Sequence, residues 1–203
     1  MEIQELWNIF LSDLRGSTAL EIIAVIFGLA SVWYAKKENI LVFPTGIVNV
    51  VIFIYICGMA RLYADMGINI YYFIMSIYGW IVWSKKHKNN LHIPISRNTR
   101  NQMVLTMLVV VGSFFIMQYV LKNFTDSDVP TLDSFTTAMF IAGMVLMARK
   151  KIEHWIFWII GDLVSIPLYL YKGLVFTSFQ YLIFTWISVV GYMEWKRIMA
   201  QYK

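Results

Sequence analysis

The sequence predicts an all-α integral membrane protein with seven transmembrane helices. The chain of 203 residues is 59% hydrophobic and only 14% charged, whereas soluble domains carry about 25% charged residues. Its apolar residues gather in seven runs that approach or reach the roughly 17 to 25 residues needed to cross a bilayer. Its basic residues form short clusters between those runs, a pattern that indicates membrane orientation and not nucleic-acid binding.

The predicted spans are the seven apolar runs themselves. They cover residues 20–34, 40–60, 66–83, 103–121, 134–148, 155–171 and 174–195. The first and the fifth are short, so hydropathy defines their ends least well. Ahead of them, residues 1–19 place Trp7, Phe10 and Leu14 at helical spacing, which predicts an amphipathic segment lying in the membrane interface.

The lysines and arginines divide unequally between the two faces that seven spans define. Thirteen of the 17 fall on the face that holds the C-terminus, and four, Arg15, Arg61, Lys122 and Lys172, fall on the other. Cytoplasmic loops are the ones enriched in lysine and arginine. We therefore expect the N-terminus outside and the C-terminus in the cytoplasm.

The sequence also repeats itself. An offset of 115 matches Gly28 with Gly143 and Gly46 with Gly161, and after a three-residue gap an offset of 112 matches Trp83 with Trp195. Because each repeat holds three spans and one span separates them, both repeats are expected to point the same way, a 3+1+3 parallel duplication with a solute cleft between its halves. The predicted segments are a first repeat at 20–83, a basic cytoplasmic linker at 84–102, a connecting helix at 103–121, a second repeat at 134–195 and a cytoplasmic tail at 196–203.

Five segments carry a resemblance to known sequences. They are 35–40, 62–65, 70–80, 148–158 and 191–195, and the most specific is the Trp-x-x-Trp of Trp155 and Trp158. Together they resemble the PnuC family of vitamin transporters. The resemblance implies a SWEET-like fold, often a homotrimer, in the bacterial cytoplasmic (inner) membrane. It also implies uptake of nicotinamide riboside by facilitated diffusion, with trapping by a cytosolic kinase. Relatives for thiamine and riboflavin keep those vitamins open, and Asn69 stands where we associate a glutamine with nicotinamide riboside carriers.

Asp162 is the carboxylate that the sequence places in the middle of a span. Ionisable residues inside a membrane are unfavourable and are functional candidates by default. No basic residue lies at a comparable depth in another span, so we expect Asp162 to be protonated or to meet a cation from outside. Nicotinamide riboside and thiamine both carry such a charge. The structural alternative is a neutral Asp162 hydrogen-bonded to a neighbouring helix.

The other predicted substrate-binding residues are aromatic or polar side chains on the spans of both repeats. They are Trp155, Trp158, Tyr169, Asn49, Asn69, Tyr72, Gln180 and Trp186. Ring faces attract flat organic cations, and amides read polar groups by hydrogen bonds. Alternatively, the amides hold helices together, and Trp155 belongs to an interfacial belt with Trp33, Trp83 and Trp195.

The sequence contains no pattern for catalysis, a cofactor or a metal. His87, His92 and His154 lack ligand partners at metal spacing, and Cys57 is a single cysteine. Two other classes of membrane protein are the alternatives. A retinal-type seven-helix protein needs a lysine in its last span, which is missing here, and a membrane enzyme needs clustered carboxylates or histidines near an interface. The expected partners are therefore a small cationic vitamin and lipid, with no nucleic acid.

Overall fold

The structure, a computed structural model, describes residues 3–85 and 93–201. The predicted linker falls partly outside the described residues, as do His87 and His92. The described chain forms eight α-helices. They are α1 (Ile3–Gly16), α2 (Ala19–Lys36), α3 (Val42–Met59), α4 (Tyr63–Ser84), α5 (Arg100–Phe124), α6 (Pro130–Ala148), α7 (His154–Tyr171) and α8 (Val175–Gln201).

Seven of these helices, α2 to α8, are long and apolar enough to cross a membrane, which confirms the predicted fold class. Two of them, α2 and α5, begin at a capping residue that hydropathy does not detect. Thr18 starts α2 by accepting from the Glu21 N–H at 3.2 Å. Thr99 likewise accepts from the Gln102 N–H at 3.3 Å, so α5 begins three residues before the predicted span. Pro130 begins α6, since a proline in the first helical turn needs no partner for an N–H.

The spanning helices pack as two sets of three. α3 packs between α2 and α4, and α7 packs between α6 and α8. The sets meet along two contacts, α2 with α8 and α4 with α6. α5 packs on α6, outside both sets. The first set covers residues 19–84 and the second covers residues 130–201; that the two are parallel repeats stays a prediction.

The amphipathic helix α1 docks on the first turn of α8. Asp13 Oδ2 accepts a hydrogen bond from the Phe176 N–H at 3.2 Å, so the acid caps a neighbouring helix. The ring of Phe10 packs against Phe176 and Phe179 at centroid distances of 5.6 and 5.4 Å. Residues 1–19 therefore include a helix, as predicted, and its place in the membrane interface stays a prediction.

Positions in the two sets of helices correspond at an offset of 112 residues. α3 and α7 begin and end 112 positions apart, at 42 and 154 and at 59 and 171. The loops agree, because the left-handed residues Glu38 and Lys150, with φ of 54° and 51°, have the same offset. So do Arg61 and Gly173, with φ of 60° and 74°. The offset of 115 expected for the first two spans is therefore wrong.

Close packing between helices explains why the glycines misled the alignment. Gly46 makes room for Ser31 in the first set. The residues 112 positions later are Trp158 and Gly143, and there Gly143 makes room for Trp158. The close approach is kept, but the glycine has changed helices. Matching glycine to glycine consequently shifts the alignment by three residues.

A tryptophan core closes one end of the helical sets. We call this end, which carries the clusters around Lys36, Lys150 and Lys196, the basic end. Trp83, Trp155 and Trp195 are buried there together with Ile95 from the linker. Since Trp83, Trp155 and Trp195 are inside the protein, they do not belong to an interfacial belt, which was the alternative given for them above.

The linker binds the second set at the basic end. The Ser96 N–H donates to the Lys150 carbonyl at 3.0 Å, and the Ile152 N–H donates back to the Ser96 carbonyl at 3.0 Å. The Asn98 N–H donates to the carboxylate of Glu153 at 3.1 Å. These bonds fasten residues 95–98 across the loop between α6 and α7.

Candidate functional site

A cavity of about 660 Å³ lies between the two sets of helices, within the range of about 300 to 1,000 Å³ that is usual for small-molecule sites. Its wall runs from Ser17, Leu62 and Leu174, at the end away from the basic clusters, to Phe43 and Met147 beside the tryptophan core. α2, α3, α4, α6, α7 and α8 all contribute to it. Among the described residues, α5 contributes none.

The second set supplies an aromatic wall. Tyr181 lies between two other rings, with centroid distances of 5.1 Å to Tyr169 and 6.0 Å to Phe140 and interplanar angles of 18° and 14°. All three line the cavity, as does Trp158 on α7. The wall therefore lines one side of the cavity with aromatic rings, and such a lining suits a flat cationic ligand.

Asp162 lies within this aromatic wall at the middle of α7 and is only 4% exposed. The side chain of Ser188 on α8 lines the same region, and its buried Oγ has no hydrogen-bond partner within the described chain. Among the described residues, no lysine, arginine or histidine lines the cavity. A carboxylate in such a place favours a ligand that brings its own positive charge.

Trp158 owes its position to two neighbours. Gly143 on α6 leaves the space that the indole occupies, since a Cβ at that glycine would overlap the indole ring. The ring of His154 packs edge-on against Trp158 at 5.1 Å. His154 itself is held by a 2.8 Å hydrogen bond between Nδ1 and the Lys151 carbonyl.

The first set supplies a wall of small and amide side chains. Gly28, Gly46, Asn49 and Asn69 all line the cavity, together with Tyr72. The amide of Asn49 donates to the Ala24 carbonyl at 2.7 Å. The amide of Asn69 donates to the Asp65 carbonyl at 2.9 Å. These bonds hold each amide in place, and each retains polar atoms that can bond a ligand.

A sequence model of the nicotinamide mononucleotide transporter family matches residues 18–197. The chain belongs to this family. It is therefore a transporter and not an enzyme, and neither the retinal-type alternative nor the enzyme alternative applies.

Named relatives and a solved structure agree with this assignment. The nicotinamide riboside transporter PnuC of Escherichia coli K12 is 26% identical over 201 residues, which cover 87% of this chain and 84% of the relative. The PnuC of Neisseria mucosa is 22% identical over 193 residues, covering 89% of this chain and 73% of the relative. A crystal structure described as the vitamin B3 transporter PnuC matches 98% of this chain and 91% of its own with a TM-score of 0.72 at 21% identity. This last likeness shows that the transporter has the PnuC fold.

Seven of the nine predicted site residues line the cavity of the transporter. They are Asn49, Asn69, Tyr72, Trp158, Asp162, Tyr169 and Gln180. They come from α3, α4, α7 and α8, so the fold gathers them from both sets. Their contact with a substrate stays a prediction.

Two of the predicted side chains do not line the cavity, so the cavity gives no support to a binding role for them. Trp155 is fully buried in the tryptophan core, against Trp195 and His154. It shares a helix face with Asp162 but lies seven residues nearer the start of α7. There it is at the basic end, beyond the residues that line the cavity. Trp186 is 59% exposed. It is two residues from Ser188 and therefore about 200° around the helix from the lining face.

Aromatic residues on α6 and α8 that were not among the predicted site residues also line the cavity. Phe140, Tyr181 and Phe184 line the cavity. Tyr181, Phe184 and Ser188 follow one another at i, i+3 and i+7, the spacing of one helix face. Gln180, four residues before Phe184, fits this face, whereas Trp186, two residues before Ser188, does not. The spacing in the sequence was therefore sufficient to include Gln180 and exclude Trp186.

Proposed function

We propose that this transporter carries nicotinamide riboside into the cell by facilitated diffusion through the cavity between its two sets of helices. The relatives named above support this substrate. The observation that carries the proposal is a buried carboxylate, Asp162, among stacked aromatic rings in a cavity without a basic side chain among the described residues. The pyridinium of nicotinamide riboside is a flat cation, which is the chemistry that this wall favours.

The charge of the cavity favours a nucleoside over a nucleotide. Proteins bind phosphate groups with arginine, lysine or the N–H groups of a helix N-terminus. Here the ionisable side chains that line the cavity are the carboxyls of Glu21, Asp65 and Asp162, with the thiol of Cys57 and tyrosine hydroxyls. A phosphate would meet like charge. We therefore assign nicotinamide riboside, although the family is described by the mononucleotide.

The same charge argument explains how uptake is made effectively one-way. Facilitated diffusion stops when the concentrations on the two sides are equal. A cytosolic kinase that phosphorylates the nucleoside converts it to an anion that this cavity does not favour. The product then stays in the cell, and its formation keeps nicotinamide riboside flowing inward.

We further propose that the two sets are parallel repeats that rock against each other, with the C-terminus in the cytoplasm. The constant offset of 112 between the sets supports the duplication. The thirteen-to-four division of basic residues supports the orientation. In this arrangement the tryptophan core closes the cavity toward the cytoplasm, and transport requires that closure to open.

The homotrimer implied by the family resemblance stays a prediction. α5 is the span with the smallest buried share, and Leu108, Phe115 and Ile116 are among its exposed side chains. Such a face suits either lipid or another copy of the chain. The mass of the purified protein, measured by light scattering with the detergent contribution subtracted, decides between a monomer and a trimer.

Uptake into liposomes that contain only this protein tests the proposed substrate. Labelled nicotinamide riboside should enter to equal concentration without a proton gradient. Unlabelled nicotinamide riboside should compete, whereas nicotinamide mononucleotide and riboflavin should not. Thiamine is the informative competitor, because it is also a flat organic cation. If thiamine enters and nicotinamide riboside does not, the substrate assignment is wrong.

A further inference from the structure

Val50 and Asp162 occupy equivalent places in the two walls of the cavity. They are 112 positions apart, and each is the ninth residue of its helix, α3 or α7. Both side chains are buried, with exposed fractions of 6% and 4%, and both line the cavity. The cavity thus presents an isopropyl group on one side where it presents a carboxyl on the other.

Contacts just before these positions support the equivalence. Four positions before Val50, Gly46 lies against Ser31, and four positions before Asp162, Trp158 lies against Gly143. One position before Val50, Asn49 lies against Gly28. One position before Asp162, Gly161 lies against Phe140. The helices therefore pack in the same register as they reach the pair, and the two side chains are at the same depth.

Three other equivalent pairs place a small or amide side chain on the first wall and a ring on the second. Gly28 faces the cavity where the second set has Phe140, Gly46 where it has Trp158, and Asn69 where it has Tyr181. The other two carboxyls of the cavity, Glu21 and Asp65, lie in the first turns of α2 and α4, at the end away from the basic clusters. Asp162 is therefore the carboxyl at the centre of the cavity.

We propose that Val50 is a specificity-determining residue for transport. An apolar side chain at this position limits the centre of the cavity to one carboxyl group, and that limit selects a solute with a single positive charge. The helical framework, however, accepts the carboxyl group on either wall, because the two positions have equivalent surroundings in register and depth. This inference rests on the proposed function and names the second position that sets the charge preference of the same site.

Moving the charge from one wall to the other tests the inference. The variant Asp162→Val should lower uptake of nicotinamide riboside about tenfold, because a lost charged contact of about 1.5 kcal/mol has that effect. The double variant Val50→Asp, Asp162→Val should recover uptake by at least about threefold over Asp162→Val. The matched control is Val50→Asn, Asp162→Val, which has the same shape without the charge and should not recover uptake.

A second route installs the charge after folding, in case the double variant does not fold. Val50→Cys is combined with Asp162→Val and with Cys57→Ala, and the purified protein is treated with sulfonatoethyl methanethiosulfonate. The Val50→Cys thiolate attacks the reagent sulfur, a disulfide forms, and methanesulfinate leaves. Uptake should exceed that obtained with the uncharged hydroxyethyl reagent.

The outcomes separate this inference from the proposed function. If the unmodified protein does not carry nicotinamide riboside, the proposed function fails. If Asp162→Val loses uptake and neither the double variant nor the charged reagent recovers it beyond its uncharged control, the inference about Val50 is wrong and the proposed function stands.

Discussion

Trp83 and Trp195 make the same hydrogen bond in opposite directions between the two sets of helices. The indole N–H of Trp83 donates to the Met147 carbonyl at 3.2 Å, and that of Trp195 donates to the Ala35 carbonyl at 2.9 Å. The two acceptors are 112 positions apart, like the two donors. The rings lie 6.0 Å from each other. Each set of helices is therefore bonded to the other at the basic end by one reciprocal pair.

Removing either indole N–H should favour opening at the basic end. For Trp83→Phe or Trp195→Phe, the lost hydrogen bond is worth about 1 kcal/mol, which shifts the ratio of open to closed forms about fivefold. The measurement is maleimide labelling of Ser76→Cys in a Cys57→Ala background, with a membrane-impermeant reagent applied at the basic end. Trp33→Phe is the control. Equal labelling of all variants would contradict this role.

Breaking the ion pair between Lys150 and Glu38 should destabilise the protein. Lys150 Nζ lies 2.7 Å from Glu38 Oε1, is 3% exposed, and stands 4.5 Å from the centre of the Trp83 ring. Lys150→Met leaves a partly buried carboxylate without its partner, so we expect a loss of about 3 kcal/mol, seen as a lower unfolding temperature in detergent. Arg197→Met, which breaks the exposed pair with Glu194, should change it little.

The exchange Glu38→Lys with Lys150→Glu should restore much of that loss. The two residues are at equivalent positions and share left-handed backbone angles, with φ of 54° and 51°. Each new side chain therefore enters a backbone setting like the one it left. An exchanged protein that melts no higher than Lys150→Met would show that the sets are not equivalent at this loop.

Neutralising Asp162 should weaken uptake of the cationic substrate. Asp162→Asn keeps the size of the side chain and removes its charge, and we expect about a tenfold loss of uptake at a limiting substrate concentration. Asp128→Asn, at an exposed position between α5 and α6, is the matched control and should leave uptake unchanged. Equal uptake by both variants of the folded protein would remove the cation-partner role of Asp162.

Two tryptophans only 28 positions apart should differ in their effect on binding. Trp158 lines the cavity and Trp186 is 59% exposed outside it. Trp158→Ala should raise the half-saturating concentration about fivefold or more, since a cation over an indole face contributes about 1 to 2 kcal/mol when dry. Trp186→Ala should leave it within about twofold. The reverse order would exclude Trp158 as the ring partner.

Hydropathy and charge predicted most of this fold, because a bilayer requires a certain length of each spanning helix and favours lysine and arginine in the cytoplasmic loops. The helix starts depended on residues that hydropathy does not weigh, such as Thr99, which caps α5, and Pro130, which is the first residue of α6. The sequence predicted the offset of 112 for the third span of each set but not for the first two spans, since glycines record that two helices approach and not which one carries the small residue. Gly46 and Gly143 show this directly.

The site was predictable where a residue was both polar and deep, as with Asp162. It was not predictable where depth along a helix decides the role, because a helix face alone does not say where a cavity ends. Trp155 lies on the same face of α7 as Asp162, but it is buried in the tryptophan core beyond the end of the cavity. The aromatic wall around Tyr181 and Phe140 forms where α6, α7 and α8 meet, so the sequence of one span alone does not predict it.

The helix α5 lies between the two sets in the chain and, within the described residues, lines no part of the cavity. The residues that line the solute cavity and those that α5 exposes on its outer side therefore lie on separate surfaces. A mutation on the outer side of α5 can change which molecules adjoin the transporter while leaving its choice of solute intact. Either property can therefore drift during evolution without the other.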